Sequence, residues 1–345
     1  MNTFFDNFIK PFQVIMERAE SEKLLSCTEI VNLLEYKEDS PESFYMRYMA
    51  NQISRKRFSN RGIILGQIGY ETAPCPGNCQ FCSFAKDYTS FPESHPRVDE
   101  IVELAKPFLS QKGLFALFLM GMHNFDFDRL LAIIEALRPI IPQTVKLVVN
   151  IGDFSRTQAD ELRAAGVSGA YHVLRLREGT NTALNPEARL ETIKNLREAN
   201  LDWYYCCEPI GPEHSPMELA EQMLIGREFG AFQHAAMRRV ALPNSPLAGQ
   251  GTITELRLAQ ITAVVTLAMN GNSQLRSIAV HEPNQLGLCS GANAIYAETG
   301  VNPRDLAVQT QTSRGRSVQD CEKMLWECRF DAVSNGAFDP VPILA

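Results

Sequence analysis

Short apolar runs alternate with amphipathic helical stretches from about residue 60 to about residue 300, and that alternation leaves the chain few folds. The apolar runs are Gly62–Gly66, Leu114–Gly121, Val145–Asn150, Ala170–Leu174, Trp203–Cys207, Ala235–Leu242, Ser277–Val280 and Ala292–Ala297. Between them lie helical patterns at Asp99–Ser110, Phe127–Arg138, Ser155–Ala165, Pro186–Ala199, Pro216–Phe229 and Thr252–Met269. Several carry end signals: Ser155 is placed as an N-cap with Gly166 beyond the far end, and Ser215 with Pro216 opens another. Strands alternating with helices pair in parallel through right-handed crossovers. Eight of them predict an α/β fold closed into a (β/α)8 TIM-type barrel rather than an open sheet. The last crossover, Glu282 to Gly291, is short for a helix.

Residues 1–60 read as N-terminal helices packed on the barrel, 61–300 as the barrel itself, and 301–345 as a C-terminal tail with one helix near Val318–Glu327. At 345 residues and 45% hydrophobic, the chain has ample material for one large core. No linker or repeat divides it. The net charge of −7 comes without a basic block, since Arg55, Lys56 and Arg57 form only a short run on a helix face. Nucleic-acid binding is therefore not expected. The longest apolar stretch, Leu114 to Met122, is too short to cross a bilayer. Met1 to Lys10 mixes Phe with Asn, Asp and Lys and lacks the apolar centre of a signal peptide. A soluble cytoplasmic protein is expected.

Nine cysteines fall at 27, 75, 79, 82, 206, 207, 289, 321 and 328, an odd number without regular pairing. Three of them, Cys75, Cys79 and Cys82, stand in a C-x-x-x-C-x-x-C pattern directly after the first strand. Three thiolates ligate three irons of a cubane and leave the fourth iron open to a small molecule. Pro76 and Gly77 suit the tight turn this needs, and Phe81 offers an aromatic face before the third cysteine. Three other readings compete. A structural zinc site wants four ligands, and no second C-x-x-C follows nearby. A ferredoxin-type carrier wants a fourth close cysteine. The third is a chance cluster in a core loop. The remaining six cysteines, Cys27 among them, read by default as small hydrophobes.

On these residues the chain resembles the radical SAM superfamily, and within it the biotin-synthase-like branch. That branch includes biotin synthase, the radical SAM maturase of iron-only hydrogenase and methylornithine synthase. The resemblance runs from about Gly62 to Pro303. It includes the Phe-Leu-Met-Gly segment at Phe118–Gly121, Asn150–Ser155 with the following Gln158–Gly166, and Pro243–Leu247 with Ser245 in place of threonine. The Gly-Ala-Asn at Gly291–Asn293 completes it. It implies a 4Fe–4S cluster on Cys75, Cys79 and Cys82 that reductively cleaves S-adenosylmethionine (SAM) to a 5′-deoxyadenosyl radical. That radical abstracts hydrogen from a small organic substrate, with flavodoxin or ferredoxin as the reducing partner.

Carried over position by position, the resemblance implies a ring of site residues at the C-terminal mouth of the strands. Phe81 would face adenine, Gly121 and Met122 would offer backbone groups to the amino-acid end of SAM, and Asn150 ends the third strand. His172, Arg175, Arg177 and Glu178 follow the fourth strand as SAM contacts, with solvent-facing charges as the alternative. Ile210 and Gly211 would approach adenine after the fifth strand. Glu208 is a substrate candidate, as are His281 and Glu282 and one of Arg238 and Arg239, since neighbours on a strand face opposite ways. His95, His123 and His214 read as loop surface.

One departure bears on the reaction. Common biotin synthases hold a second cluster with cysteines on strands two, three and five. Here the matching positions read Leu119, Val148 and either Tyr205 or Cys206, and neither Leu119 nor Val148 ligates iron. The expected chemistry is rearrangement or fragmentation in cofactor or amino-acid biosynthesis. Sulfur insertion through a second cluster built from Cys206, Cys207, Cys289, Cys321 or Cys328 is the enzymatic alternative. An iron–sulfur electron carrier or metal-stabilised binding module is the non-enzymatic one.

Overall fold

A computed structural model describes residues 5–282, 284–298 and 316–343. Eight parallel strands close into a barrel: β1 (Arg61–Gly69), β2 (Leu114–Met120), β3 (Lys146–Asn150), β4 (Gly169–Tyr171), β5 (Asp202–Ile210), β6 (Gln233–Arg238), β7 (Ser277–Val280) and β8 (Ala294–Glu298). Each pairs with its sequence neighbours, and β1 meets β8 from Ile63 opposite Ala294 to Gln67 opposite Glu298. The strands are buried almost end to end, as expected for a parallel sheet covered by helices. Inside, the Phe118 ring stands edge-on to Tyr204 at 5.1 Å and to Tyr296 at 5.4 Å, so the barrel is a packed core rather than a pore.

Three helices precede the barrel: α1 (Lys10–Glu20), α2 (Cys27–Glu35) and α3 (Pro41–Arg57). The crossovers are α4 (Val98–Leu109), α5 (Phe127–Leu137), α6 (Arg156–Ala164), α7 (Pro186–Glu198), α8 (Pro216–Glu228), α9 (Glu255–Met269) and the one-turn α10 (Gln285–Leu288). Their starts are written in the sequence. Ser155 accepts from Gln158 N and Ser215 from Glu218 N, each in a reciprocal capping box. Asp126 caps α5 and Thr254 caps α9. Every residue of α9 from Leu258 to Met269 is buried, because α1, α2 and α3 lie over the face that a barrel helix usually shows to water. Gln260 Nε2 donates to Tyr36 O and Ser43 Oγ, so its burial is satisfied by that cover.

The C-terminal residues do more than trail. After α11 (Val318–Glu327), β9 (Ala332–Ser334) pairs in parallel with Arg61 and Gly62 of β1, and β10 (Pro340–Pro342) folds back on it antiparallel. Between them Phe338 packs against Phe115 at 5.2 Å and closes the N-terminal end of the barrel. Residues 299–315, which include the first part of the expected tail and Pro303, lie outside the described residues. Among the described residues, no helix is long and apolar enough to cross a membrane.

Candidate active site

The cysteines sit in a loop that folds on itself after β1. Cys75 N donates to Phe84 O at 2.7 Å and Lys86 N to Cys75 O at 3.1 Å, closing the loop at its neck. Asn78 takes a left-handed φ of 43° at the turn, and its side chain bridges Asp87, donating to Oδ2 at 2.9 Å and accepting from the backbone N at 3.1 Å. The loop is strapped to the segment after β4: Ala183 N donates to Gly77 O and Gln80 N to Asn181 O. Local turn chemistry and two tertiary hydrogen bonds therefore fix the loop that carries the three cysteines, and all three line one cavity.

That cavity measures about 1270 Å³, its open mouth included, and lies at the C-terminal ends of the strands. Cys75, Cys79 and Cys82 line one side, with Phe81 and Phe84 beside them. Gln67, Asn150, Arg175, Glu208 and His281 line the floor and far wall. Burial pushes the Cys79 thiol up to about 12, with the Arg175 charge working the other way. Among the described residues no three His, Cys, Asp or Glu side chains converge as they would on a single metal ion. With three soft sulfur donors and no further cysteine on the cavity among the described residues, the donor set suits a cluster with one open iron better than a four-ligand zinc.

At the ends of β4 and β5, Arg175 Nε lies 3.2 Å from Glu208 Oε1, and the Tyr171 hydroxyl donates to Glu208 Oε2. Burial opposes the Arg175 charge, but Glu208 and Glu178 outweigh it and hold the guanidinium firmly protonated. Glu178 is itself buried; it accepts from Arg175 N at 2.9 Å and from Thr182 Oγ1 at 2.7 Å. Arg189 of α7 joins the network, 3.8 Å from Glu178 and 2.9 Å from Asp153. Glu178 does not line the cavity; it fixes the backbone of Arg175, which does.

At the far rim both Arg238 and Arg239 line the cavity, against the expectation that only one can. The alternation of faces ends with β6 at Arg238, and Arg239 lies just past the strand, its N–H bonded to Ile210 O. Each is matched by a carboxylate: Arg238 Nε with Glu282 at 2.6 Å, and Arg239 with Glu213 through a two-pronged contact. Glu282 is placed by the sequence among the mouth residues; the structure makes it the partner of Arg238 and not a lining residue. His281 does line the cavity, stacked 4.2 Å from the Tyr296 ring.

Other expected contacts lie elsewhere. His172 points out of the barrel, fully buried beside Phe154 and 3.2 Å from Asp153, because Tyr171 before it takes the inward position. Arg177 has a positive φ that turns its side chain to the surface, where it pairs with Glu218 at 2.7 Å. Ile210 and Gly211 do not line the cavity; the Gly211 N–H is taken by His214 Nδ1, so His214 is a buried acceptor rather than loop surface. His95 is exposed, whereas His123 lines the cavity. Gly121 and Met122 line it too, but their N–H groups are already spent on Asn150 O and Glu71 Oε1, which leaves carbonyl oxygens to offer. At Gly121 a Cβ would fall 2.0 Å from the Tyr70 hydroxyl, so only glycine fits.

Sequence reasoning missed Gln67, Tyr171, Arg189 and Asp153. A polar Gln67 inside an otherwise apolar β1 was a visible signal, as was Arg189 on the helix face that also carries Ile193 and Leu196. Of the cysteines weighed for a second site, Cys206 is buried beneath Glu208 without lining the cavity, and Cys207 alternates to the helix side. Phe118 packs inside the barrel and Met120 lines the cavity, so Leu119 between them faces the helices.

Residues 72–207 match the family model described as the Radical SAM superfamily. A biotin synthase of Acetivibrio thermocellus is 27% identical over 210 residues, 57% of this chain and 62% of that protein. The match thus spans under two thirds of that relative's length. A biotin synthase of Prochlorococcus marinus is 25% identical over 309 residues, 80% of this chain and 89% of its own. In fold, the chain is similar to the FeFe-hydrogenase maturase of Carboxydothermus hydrogenoformans, with a TM-score of 0.74, 15% identity, and 94% and 79% of the two chains covered. Methylornithine synthase gives a TM-score of 0.76 at 14% identity over 91% and 95%.

Proposed function

From the premise that this chain is a radical SAM protein related to the biotin-synthase-like branch, we propose that Cys75, Cys79 and Cys82 hold its 4Fe–4S cluster in an enzyme for a small organic substrate. Proteins of this superfamily use such a cluster with SAM. When bound, the pair supplies reductive cleavage of SAM and a 5′-deoxyadenosyl radical for hydrogen abstraction. The single observation that carries the reading is that all three thiols of one closed loop line the same cavity as the Arg175–Glu208–Tyr171 network.

The chain's own residues bind, orient and exclude. Arg175, locked by Glu208 and by the Glu178 contact to its backbone, presents a fixed positive charge that favours the Cys79 thiolate and an anionic group beside it. The carbonyl oxygens of Gly121 and Met122 and the Asn150 side chain suit a SAM ammonium. Phe81, Met120, Ile151, Leu184 and Met237 make the lining largely apolar, which keeps water from a reactive carbon. Glu208, His281, Arg238 and Arg239 are left to meet the substrate at the wider end.

Rearrangement or fragmentation, in cofactor or amino-acid biosynthesis, is favoured over sulfur insertion. The wall that would carry a second cluster has no cysteine reaching the cavity besides the loop three among the described residues. The reducing partner is a small electron carrier such as flavodoxin or ferredoxin, and the working place is the cytoplasm. Anaerobic reconstitution tests the assignment. About four irons per chain are expected, and almost none in the Cys75→Ala, Cys79→Ala, Cys82→Ala triple variant. Stoichiometric zinc without iron uptake, or iron retained by the triple variant, would sink it.

A further inference from the structure

We propose that Cys289 and Cys328 form a peroxide-reactive thiol pair, a modification site away from the cavity, in which Cys289 meets the oxidant and Cys328 closes a reversible disulfide. The inference does not depend on the reaction assigned to the cavity.

Cys289 caps the C-terminal end of α10 and is exposed; Cys328 caps the C-terminal end of α11 and is buried. Cys328 Sγ lies 3.9 Å from Gln285 O at the start of α10, the same carbonyl that accepts from Cys289 N at 2.9 Å, so the two cysteines meet at one oxygen. A cation is fixed beside them. Arg55 of α3 donates from Nη2 to Cys328 O at 2.6 Å and from Nη1 to Arg329 O at 2.9 Å, and its guanidinium stacks 3.7 Å over the Phe330 ring. Among the described residues no carboxylate forms an ion pair with Arg55 at contact distance; Asp331 acts on it only from farther off. The hydrogen bond from Cys328 pulls the Cys289 thiol down to about 6, burial resists, and the Arg55 charge adds to the pull. Cys328 is pushed up by the same hydrogen bond and by burial, with Glu327 adding to the push, so it is the partner that keeps its proton.

The pair is therefore asymmetric: an accessible thiolate over a buried thiol. That is the arrangement for attack followed by resolution. Cys321, two helix turns before Cys328, shows the contrast; it is buried against Tyr296 O, and burial pushes its thiol up.

The chemistry balances with hydrogen peroxide as oxidant. Cys289 sulfur attacks one peroxide oxygen, the O–O bond breaks, and hydroxide leaves, giving a sulfenic acid. Cys328 sulfur then attacks Cys289 sulfur, the S–O bond breaks, and the departing oxygen leaves as water with the Cys328 proton. The hydroxide takes up a proton from solvent. Two thiols are oxidised by two electrons and one peroxide becomes two waters. A dithiol reverses the bond by exchange. The disulfide ties the β7–β8 crossover to the end of α11.

The test treats the full chain anaerobically with hydrogen peroxide, alkylates the remaining thiols and maps the peptides by mass. A Cys289–Cys328 linked peptide that dithiothreitol removes is expected. In Cys328→Ser, Cys289 should be trapped as a sulfenic acid by dimedone, while in Cys289→Ser, Cys328 should stay a thiol. Alkylation of Cys289 against pH should be half-maximal near 6, and Arg55→Met, checked for folding by circular dichroism, should shift that midpoint upward and slow alkylation at pH 6.5. Recovery of both cysteines as thiols after the loop cysteines have reacted would overturn the proposal. So would linkage of either one to Cys321, or primary oxidation at Cys328.

Discussion

Arg175 Nε stands 3.2 Å from Glu208 Oε1, joining the ends of two successive strands across the mouth of the barrel. The backbone repeats the link, since Leu176 N donates to Glu208 O at 2.8 Å. Removing one partner of such a buried pair strands the other charge and typically costs about 3–5 kcal/mol. Arg175→Met and Glu208→Gln should each lower the denaturant midpoint, and the double variant should lose less than the sum by roughly 1–3 kcal/mol. Strict additivity in the double-mutant cycle would mean that the two side chains do not act on each other.

Glu178 and Arg177 are neighbours in sequence with opposite prospects. Glu178→Ala frees the Arg175 backbone and leaves Arg189 short of a counter-charge, so SAM affinity should fall about tenfold with iron content unchanged. Arg177→Ala removes a surface ion pair with Glu218 and should leave SAM affinity within about twofold. Equilibrium dialysis of both variants decides it; equal effects would return Glu178 to a purely structural part.

Stability should depend on pH through a buried histidine. Burial holds the His172 imidazole at about 3 in the folded state, below the ordinary value of 6.5. The unfolded chain therefore binds a proton that the folded chain refuses, and stability falls as pH drops from 6.5 toward 3. Asp153, held below the usual carboxylate range by His172 and Arg189 despite burial, adds a loss that begins near its unfolded value of about 4. Denaturation of His172→Gln should show a shallower fall between pH 6.5 and 4 than the parent. The remaining slope belongs to His234, whose imidazole burial holds at about 4, and to His123 and His214, which burial also lowers.

The barrel was legible because its signals are local and repeated: each apolar run became a strand and each capped pattern a helix. β9 and β10 were not, since strands of three residues carry neither periodicity nor length, and β10 is bracketed by Pro340 and Pro342 as well. At the site, the cysteine loop could be read because close spacing keeps the three cysteines in one loop, and that loop lines the cavity. The directions of charged side chains could not. Tyr171 rather than His172 takes the inward position on a strand of three residues, and Arg239 escapes alternation by standing one residue past β6. Both depend on where a strand stops, which the sequence marks only to within a residue or two. Arg189 enters from a helix, a tertiary fact that no strand pattern encodes.

The most direct measurement is formation of 5′-deoxyadenosine from SAM by the reconstituted, reduced protein. The account predicts nucleoside product in the parent and none in the Cys75→Ala, Cys79→Ala, Cys82→Ala variant, with a candidate substrate raising the yield in the parent only. Product formed equally by the triple variant, or no SAM consumed by a parent that holds about four irons, would contradict it.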